Sequence, residues 1–162
     1  MSSPGRPKSE SLGAQRQGSP MTGVGTVLAF DFGERFIGVA VGETSVGVAH
    51  PLVTIDGPAT DARFAAIGDL IEEWKPARLV VGLPLRLDGM PHELTRRARR
   101  FGRQLEGRFG LPVALVDERL SSAEAEERLR AIGRGGRADK ALTHPVAAQV
   151  ILQDFLDRHA AA

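Results

Sequence analysis

The chain of 162 residues contains no cysteine, no tyrosine and a single tryptophan, and these gaps restrict what it can do. Without cysteine, disulfide bonds and thiolate metal sites are both excluded. Because aromatic residues make up only 5% of the sequence, stacking on aromatic rings is a poor basis for nucleic-acid affinity. No apolar run approaches the ~20 residues of a membrane-spanning helix, and residues 1–22 lack the apolar core of a secretory signal. We therefore expect a cytoplasmic protein.

The near-neutral net charge of +1 conceals two basic blocks. Residues 94–110 contain six arginines and one acid, and residues 128–140 contain four arginines and one lysine against one acid. Such a block is often only a solvated face, but with so few acids for ion pairing it favours contact with phosphates. The residues predicted to bind nucleic acid are Arg96, Arg97, Arg100, Arg103, Arg119, Arg134, Arg137 and Lys140.

Hydrophobic periodicity predicts one α/β domain over residues 23–160, preceded by a disordered tail over residues 1–22. Strands are predicted at 27–31, 35–41, 47–55, 78–83 and 113–116, and helices at 59–74, 92–109, 121–133 and 143–158. Three early strands in hairpin order and two later strands separated by helices indicate a mixed five-stranded sheet. In this sheet an antiparallel meander continues into two parallel strands, with helices flanking it.

Two carboxylates stand at the ends of predicted buried strands: Asp31 ends the first, and Glu118 follows the fifth. Burying a carboxylate is costly unless it is paired or binds a metal, so the pair suggests a site for Mg²⁺ or Mn²⁺. Gly82, near the end of the fourth strand, would leave room for Glu118 to reach across. The purely structural alternatives are an Asx turn at Asp31 and a solvated turn with an internal ion pair at residues 117–119.

Six motifs in order resemble the YqgF family, whose members are described as Holliday-junction-resolvase-like proteins and pre-16S rRNA nucleases. They are LAFDFG at 28–33, IGVAVG at 37–42, VVGLPL at 80–85, DG at 88–89, DERLS at 117–121 and AAQVIL at 147–152. The resemblance covers about residues 24–158. It implies a ribonuclease H-like fold and a cytoplasmic nuclease that processes the 5′ end of the small-subunit ribosomal RNA precursor.

The same resemblance implies a catalytic and metal-binding set. The first acidic position of the family falls on Asp31 and the second on Glu118, but the third falls on His144. In one interpretation His144 is a metal ligand, which would favour Mn²⁺ over Mg²⁺ because imidazole suits Mn²⁺ better. In the other the site is defective, and the protein binds RNA without cutting it.

The resemblance and the acidic pair together predict hydrolysis of a phosphodiester by a metal-activated water. Arg119 would either neutralise charge on the phosphate or pair with Asp117. The expected partner is precursor ribosomal RNA, within a ribosomal precursor particle or free. Branched DNA is the alternative substrate, if the chain is a junction resolvase, and a non-catalytic RNA-binding assembly factor is the alternative class. An actin-like sugar kinase is disfavoured because the chain has no room for a second domain.

Overall fold

The structure is a computed structural model that describes residues 25–84, 93–118 and 143–160. The strands are β1 (Thr26–Phe32), β2 (Phe36–Glu43), β3 (Ala49–Asp56), β4 (Arg78–Pro84) and β5 (Val113–Glu118). The helices within these residues are α1 (Thr60–Trp74), α2 (Glu93–Phe109) and α3 (Thr143–Ala160). None of these three helices is long and apolar enough to cross a membrane. The predicted tail at 1–22 and the predicted helix at 121–133 lie outside the described residues.

All five strands form one sheet in the order β3-β2-β1-β4-β5. The pairs β1–β2 and β2–β3 are antiparallel, whereas β1–β4 and β4–β5 are parallel. The predicted mixed sheet, with its meander and two parallel strands, is therefore confirmed. The central strand β1 is buried on both faces, which explains its continuous apolar sequence up to Asp31.

Alternating residues of β1 belong to two different hydrophobic cores, one on each face of the sheet. Leu28, Phe30 and Phe32 pack with Phe64 of α1 and Phe101 of α2. On the opposite face, a second core joins the sheet to α3; its sheet and helix members include Val27, Ala29, Val116, Ala148 and Ile151. Among the described helices, α3 thus covers the face towards which Asp31 points, because Asp31 continues the alternation of Val27 and Ala29.

Strand β5 runs two residues further than predicted. Asp117 pairs with Leu83 and Glu118 with Pro84, because β4 also extends to Pro84. The prediction that Glu118 follows the strand was therefore wrong, and so was the alternative of a solvated turn at this residue. As the last residue of a strand, Glu118 has its side-chain direction set by the sheet rather than by a loop.

The third strand begins at Ala49, later than predicted, and pairs irregularly with β2. The register shifts between Val39, which pairs with Val53, and Ala40, which pairs with Pro51. Proline cannot donate a ladder hydrogen bond, so it is tolerated on this edge strand beside the irregularity.

Candidate active site

The ends of β1 and β5 bring Asp31 and Glu118 together across β4. Asp31 is in register with Gly82, and the next ladder pairs Gly82 with Val116, two residues before Glu118. Because side chains two residues apart share a face of a strand, Glu118 projects from the same face as Val116 and Asp31. The two carboxyl groups share a hydrogen bond. The predicted convergence of the two acids is therefore present in the fold.

Gly82 makes this meeting possible because it has no side chain. A Cβ atom at this position would lie 2.7 Å from Oε2 of Glu118 and would collide with Cδ1 of Ile151. The carboxyl group of Glu118 thus occupies the space above Gly82 that any other residue would fill. The sequence-based expectation that Glu118 reaches across this glycine agrees with the geometry.

Burial raises the pKa values of both carboxyl groups, so the pair keeps a proton at neutral pH. Burial, followed by the charge of Asp31 and the hydrogen bond with it, raises the pKa of Glu118 from 4.5 to about 10. Burial also raises the pKa of Asp31, while the hydrogen bond with Glu118 and the charge of His144 act in the opposite direction. The bond stabilises the neutral form of Glu118 and the charged form of Asp31. Protonated Glu118 therefore donates to the Asp31 carboxylate.

This proton makes the stability of the metal-free protein depend on pH. A carboxyl group whose pKa is higher in the folded state stabilises the fold fully below its unfolded pKa of about 4.5. That stabilisation is lost as pH rises through the folded value, by up to about 1.4 kcal/mol per pH unit. We expect the free energy of unfolding in EDTA to fall between about pH 5 and pH 9 more steeply for the wild type than for Glu118→Gln. Parallel pH profiles of the two proteins, measured by thermal unfolding, would contradict this assignment.

The donor atoms of the pair fit a hard divalent cation. Two carboxylates supply the oxygen ligands that Mg²⁺ and Mn²⁺ prefer, and such an ion in place of the shared proton would neutralise both charges. Within the three described segments, no group of three His, Asp or Glu side chains is arranged to hold a metal ion. The acidic pair therefore provides two protein ligands, and the predicted third ligand is not in place among these residues.

His144 lies in the first turn of α3, beside the acidic pair but held by other contacts. Its imidazole stacks on the ring of Phe36, with centroids 4.7 Å apart and planes inclined by 22°. It is close enough for its positive charge to lower the pKa of Asp31. The backbone of His144 packs directly on Gly38, because a Cβ atom on Gly38 would collide with the His144 carbonyl oxygen. The fold thus places His144 near the acids, and its role as a metal ligand stays a prediction.

The predicted arginine face on α2 is exposed, but two of its members have acidic partners. Nη2 of Arg96 lies 2.5 Å from Oε1 of Glu93, one helical turn earlier. Nη1 of Arg97 lies 2.9 Å from Oε2 of Glu34, in the turn between β1 and β2. The block itself holds one acid, as described above, and the acidic partners of Arg96 and Arg97 lie outside it in sequence. Arg100 and Arg103 are exposed on the same helix.

The other basic residues predicted to bind nucleic acid are not part of the described structure. Arg119, Arg134, Arg137 and Lys140 all lie in the segment 119–142, outside the described residues. Asp117, the alternative partner of Arg119, is exposed at the end of β5.

Arg63 is a candidate that reasoning from sequence missed. It belongs to α1, is only 6% exposed, and lies at the wall of a cleft of about 180 Å³. We name this feature the arginine cleft; its lining includes Phe32, Arg63, Arg97, Arg100, Phe101 and Gln104. The available signal was helical spacing, since Arg63 stands four residues before the buried Ile67 and so falls on the inward face of α1.

Comparison with known proteins places the chain in a family. The sequence profile described as "RuvX: Holliday junction resolvase" matches residues 25–158. A protein of Methylobacillus flagellatus named "Putative pre-16S rRNA nuclease" is 62% identical over 133 residues, which are 82% of this chain and 91% of the relative. A protein of Dechloromonas aromatica with the same name is 57% identical over 134 residues, 83% of this chain and 92% of the relative.

A solved structure of low sequence identity has the same fold. RuvC of Thermus thermophilus, in complex with a Holliday junction substrate, superposes with a TM-score of 0.51 at 15% identity. The superposition covers 84% of this chain and 94% of the RuvC chain, so the likeness extends through the whole domain. The profile match over residues 25–158 and the identities above 50% together show the family of the chain. The chain belongs to the RuvX family.

Proposed function

We propose that this protein is a metal-dependent nuclease that hydrolyses phosphodiester bonds at the 5′ end of precursor 16S ribosomal RNA in the cytoplasm. The observation that carries the proposal is the half-buried, hydrogen-bonded pair of Asp31 and Glu118, brought together above Gly82. Two carboxylates with raised pKa values at the ends of strands are unusual unless they bind a cation or take part in chemistry. The names of the relatives supply the proposed substrate.

Each residue of the site has a distinct proposed role. Asp31 and Glu118 would hold a divalent cation through their carboxylate oxygens, a role that requires Glu118 in its deprotonated form. The chemistry that such a cation would supply at this site is activation of water and neutralisation of charge on the phosphate. His144 adds an imidazole nitrogen as a ligand or positions the attacking water. Arg119 neutralises charge on the phosphate. The backbone of the nucleic acid is bound by exposed arginines of α2, namely Arg96, Arg97, Arg100 and Arg103.

A cleavage assay tests the proposal with purified full-length protein. The substrates are an RNA carrying the 5′ leader of the 16S precursor and a DNA four-way junction, each incubated with Mg²⁺, Mn²⁺ or EDTA. We expect cutting of the RNA that requires the metal. Cutting of the junction alone would instead support the resolvase that the family description names. RNA binding without cutting under every metal would overturn the nuclease and favour an assembly factor.

The imidazole of His144, at the third predicted ligand position, predicts a preference for Mn²⁺ over Mg²⁺. Nitrogen ligands are accepted by Mn²⁺ more readily than by Mg²⁺, so we expect cleavage to be about tenfold faster with Mn²⁺. His144→Asp should reduce or reverse this preference, because it restores an oxygen ligand. The ratio of the two cleavage rates, measured for both proteins at saturating metal, checks the prediction. An unchanged ratio would remove His144 from the ligand set.

A further inference from the structure

The arginine cleft lies at the same end of the sheet as the acidic pair, on the opposite face. Phe32 lines the cleft and directly follows Asp31 in β1, so their side chains point to opposite sides of the sheet. The turn between β1 and β2, which contains Gly33 and Glu34, lies between the two features. A polymer chain that crosses this turn can therefore reach both.

Arg63 brings a buried positive charge to the wall of the cleft. Its Nε donates to the carbonyl oxygen of Gly57 at 2.8 Å, and its Nη2 donates to the carbonyl oxygen of Gly33 at 2.7 Å. Neither partner carries a charge, and in the described parts of the chain no acid forms an ion pair with Arg63. Burial lowers the pKa of Arg63, and the nearby charge of Arg97 lowers it further. A buried cation without an anion is costly, and an anion in the cleft would offset this cost.

Two more arginines, Arg97 and Arg100, line the same cleft from α2. Among the described residues Arg97 forms an ion pair with Glu34, and this pair is open to water, with 44% of the Arg97 side chain and 73% of the Glu34 side chain exposed. Exposed pairs of this kind contribute little to stability, so a phosphate can displace Glu34 readily. Glu34 thus occupies the position on Arg97 that an incoming anion would take.

The start of α1 adds a further positive contribution to this cleft. Thr60, the first residue of α1, and Pro58 line the cleft, and Ala59 at the cap provides no side-chain hydrogen bond to the helix. The first backbone N–H groups of the helix are therefore not satisfied by a capping side chain. Together with three guanidinium groups, they match the chemistry of a phosphate.

We propose that the arginine cleft is a phosphate-binding site in which Arg63, Arg97 and Arg100 hold a backbone phosphate of the nucleic-acid strand whose scissile bond lies at the acidic pair. The inference rests on the proposed nuclease function, because that function supplies the strand. Binding in the cleft needs no metal and is controlled by Glu34, which leaves Arg97 when the phosphate arrives. The strand then crosses the β1–β2 turn and contacts both faces of the sheet end.

The test measures binding of a short fluorescently labelled single-stranded RNA by anisotropy, in EDTA. Arg97→Gln and Arg100→Gln should each weaken binding about tenfold, because each removes charge-assisted hydrogen bonds to phosphate. The slope of log affinity against log salt should fall by about 0.7 for each variant. The matched control is Arg99→Gln, an exposed arginine of α2 that does not line the cleft; its affinity should stay within about twofold of the wild type.

Glu34→Gln gives an effect of the opposite sign. Removing the competing carboxylate should tighten RNA binding about threefold, and this gain should vanish in the Arg97→Gln background. Arg63 itself also supports the fold through its carbonyl contacts, so the exposed Arg97 and Arg100 carry the test. Equal affinities of Arg97→Gln, Arg100→Gln and Arg99→Gln would overturn the proposal.

Competition with inorganic phosphate distinguishes binding of a strand phosphate in the cleft from binding of a free anion. Phosphate should compete with RNA for the wild type and compete less for Arg97→Gln. If the cleft variants lose phosphate binding but keep full RNA affinity, the cleft takes a free anion and the strand assignment is wrong. Cleavage by Asp31→Asn distinguishes the failure of one proposal from the failure of the other. Full cleavage by this variant would overturn the nuclease site and leave the binding result standing. Lost cleavage by this variant, together with unaltered RNA affinity of the cleft variants, would overturn only the cleft.

Discussion

Replacing Asp31 by Asn is expected to reduce metal-dependent cleavage of RNA at least about a thousandfold, while the variant stays folded and still binds RNA. Asn has nearly the shape of Asp and can accept the hydrogen bond from Glu118, so the packing at the end of β1 is retained. What is lost is a negative charge at the point where the cation would bind. A thousandfold loss corresponds to about 4 kcal/mol in the activation barrier.

The matched control for Asp31→Asn is Asp117→Asn. Asp117 is also an acid at the end of a strand of this sheet, but it is exposed and projects from the face opposite to Glu118. We expect this variant to cleave at the wild-type rate. Single-turnover cleavage rates and RNA affinities of both variants provide the comparison. Cleavage retained by Asp31→Asn would exclude Asp31 from the mechanism.

Replacing Gly38 by Ala is expected to destabilise the whole domain by about 3 kcal/mol. The added Cβ would collide with the carbonyl oxygen of His144 and approach its Cα atom to 3.0 Å. These are backbone atoms, so the conflict can be relieved only by moving the start of α3 away from β2. The same movement takes His144 away from the acidic pair, and cleavage should fall as well.

Gly107→Ala is the control for this prediction. Gly107 lies in α2, and a Cβ atom there would meet nothing within 4 Å. Alanine favours helix over glycine by about 1 kcal/mol, so this variant should be as stable as the wild type or more so. Thermal unfolding of the three proteins provides the measurement, and the melting temperature of Gly38→Ala should drop by about 10 °C. Equal melting temperatures of Gly38→Ala and wild type would refute the close contact between β2 and α3.

The sheet and the acidic pair were predictable because their signals are local. Apolar runs ending at Asp31 and preceding Glu118 mark strands, and the order of hairpins and crossovers determines how they pair. Gly82 could be interpreted in advance because a glycine in a buried strand indicates a close approach. The end of β5 was missed because Glu118 is held in the strand by pairing with Pro84, and β4 itself extends one residue beyond its predicted end.

The arginine cleft could not be predicted in the same way because its contacts are distant in sequence. Arg97 pairs with Glu34, 63 residues away, and Arg63 donates to Gly33, 30 residues away. Composition alone therefore made the arginines of α2 appear to lack acidic partners. Composition also gave no indication of Arg63. A buried arginine is rare, and Arg63 can be buried because the carbonyl groups of two turns accept its hydrogen bonds.

Binding of Mn²⁺ to the full-length protein tests the central claim, that Asp31 and Glu118 form a metal site across Gly82. Calorimetric titration of the wild type, Asp31→Asn, Glu118→Gln and the control Asp117→Asn would give the affinities directly. The account predicts saturable binding by the wild type and Asp117→Asn, weakened at least about tenfold by either substitution in the pair. Equal Mn²⁺ affinities of all four proteins would contradict it.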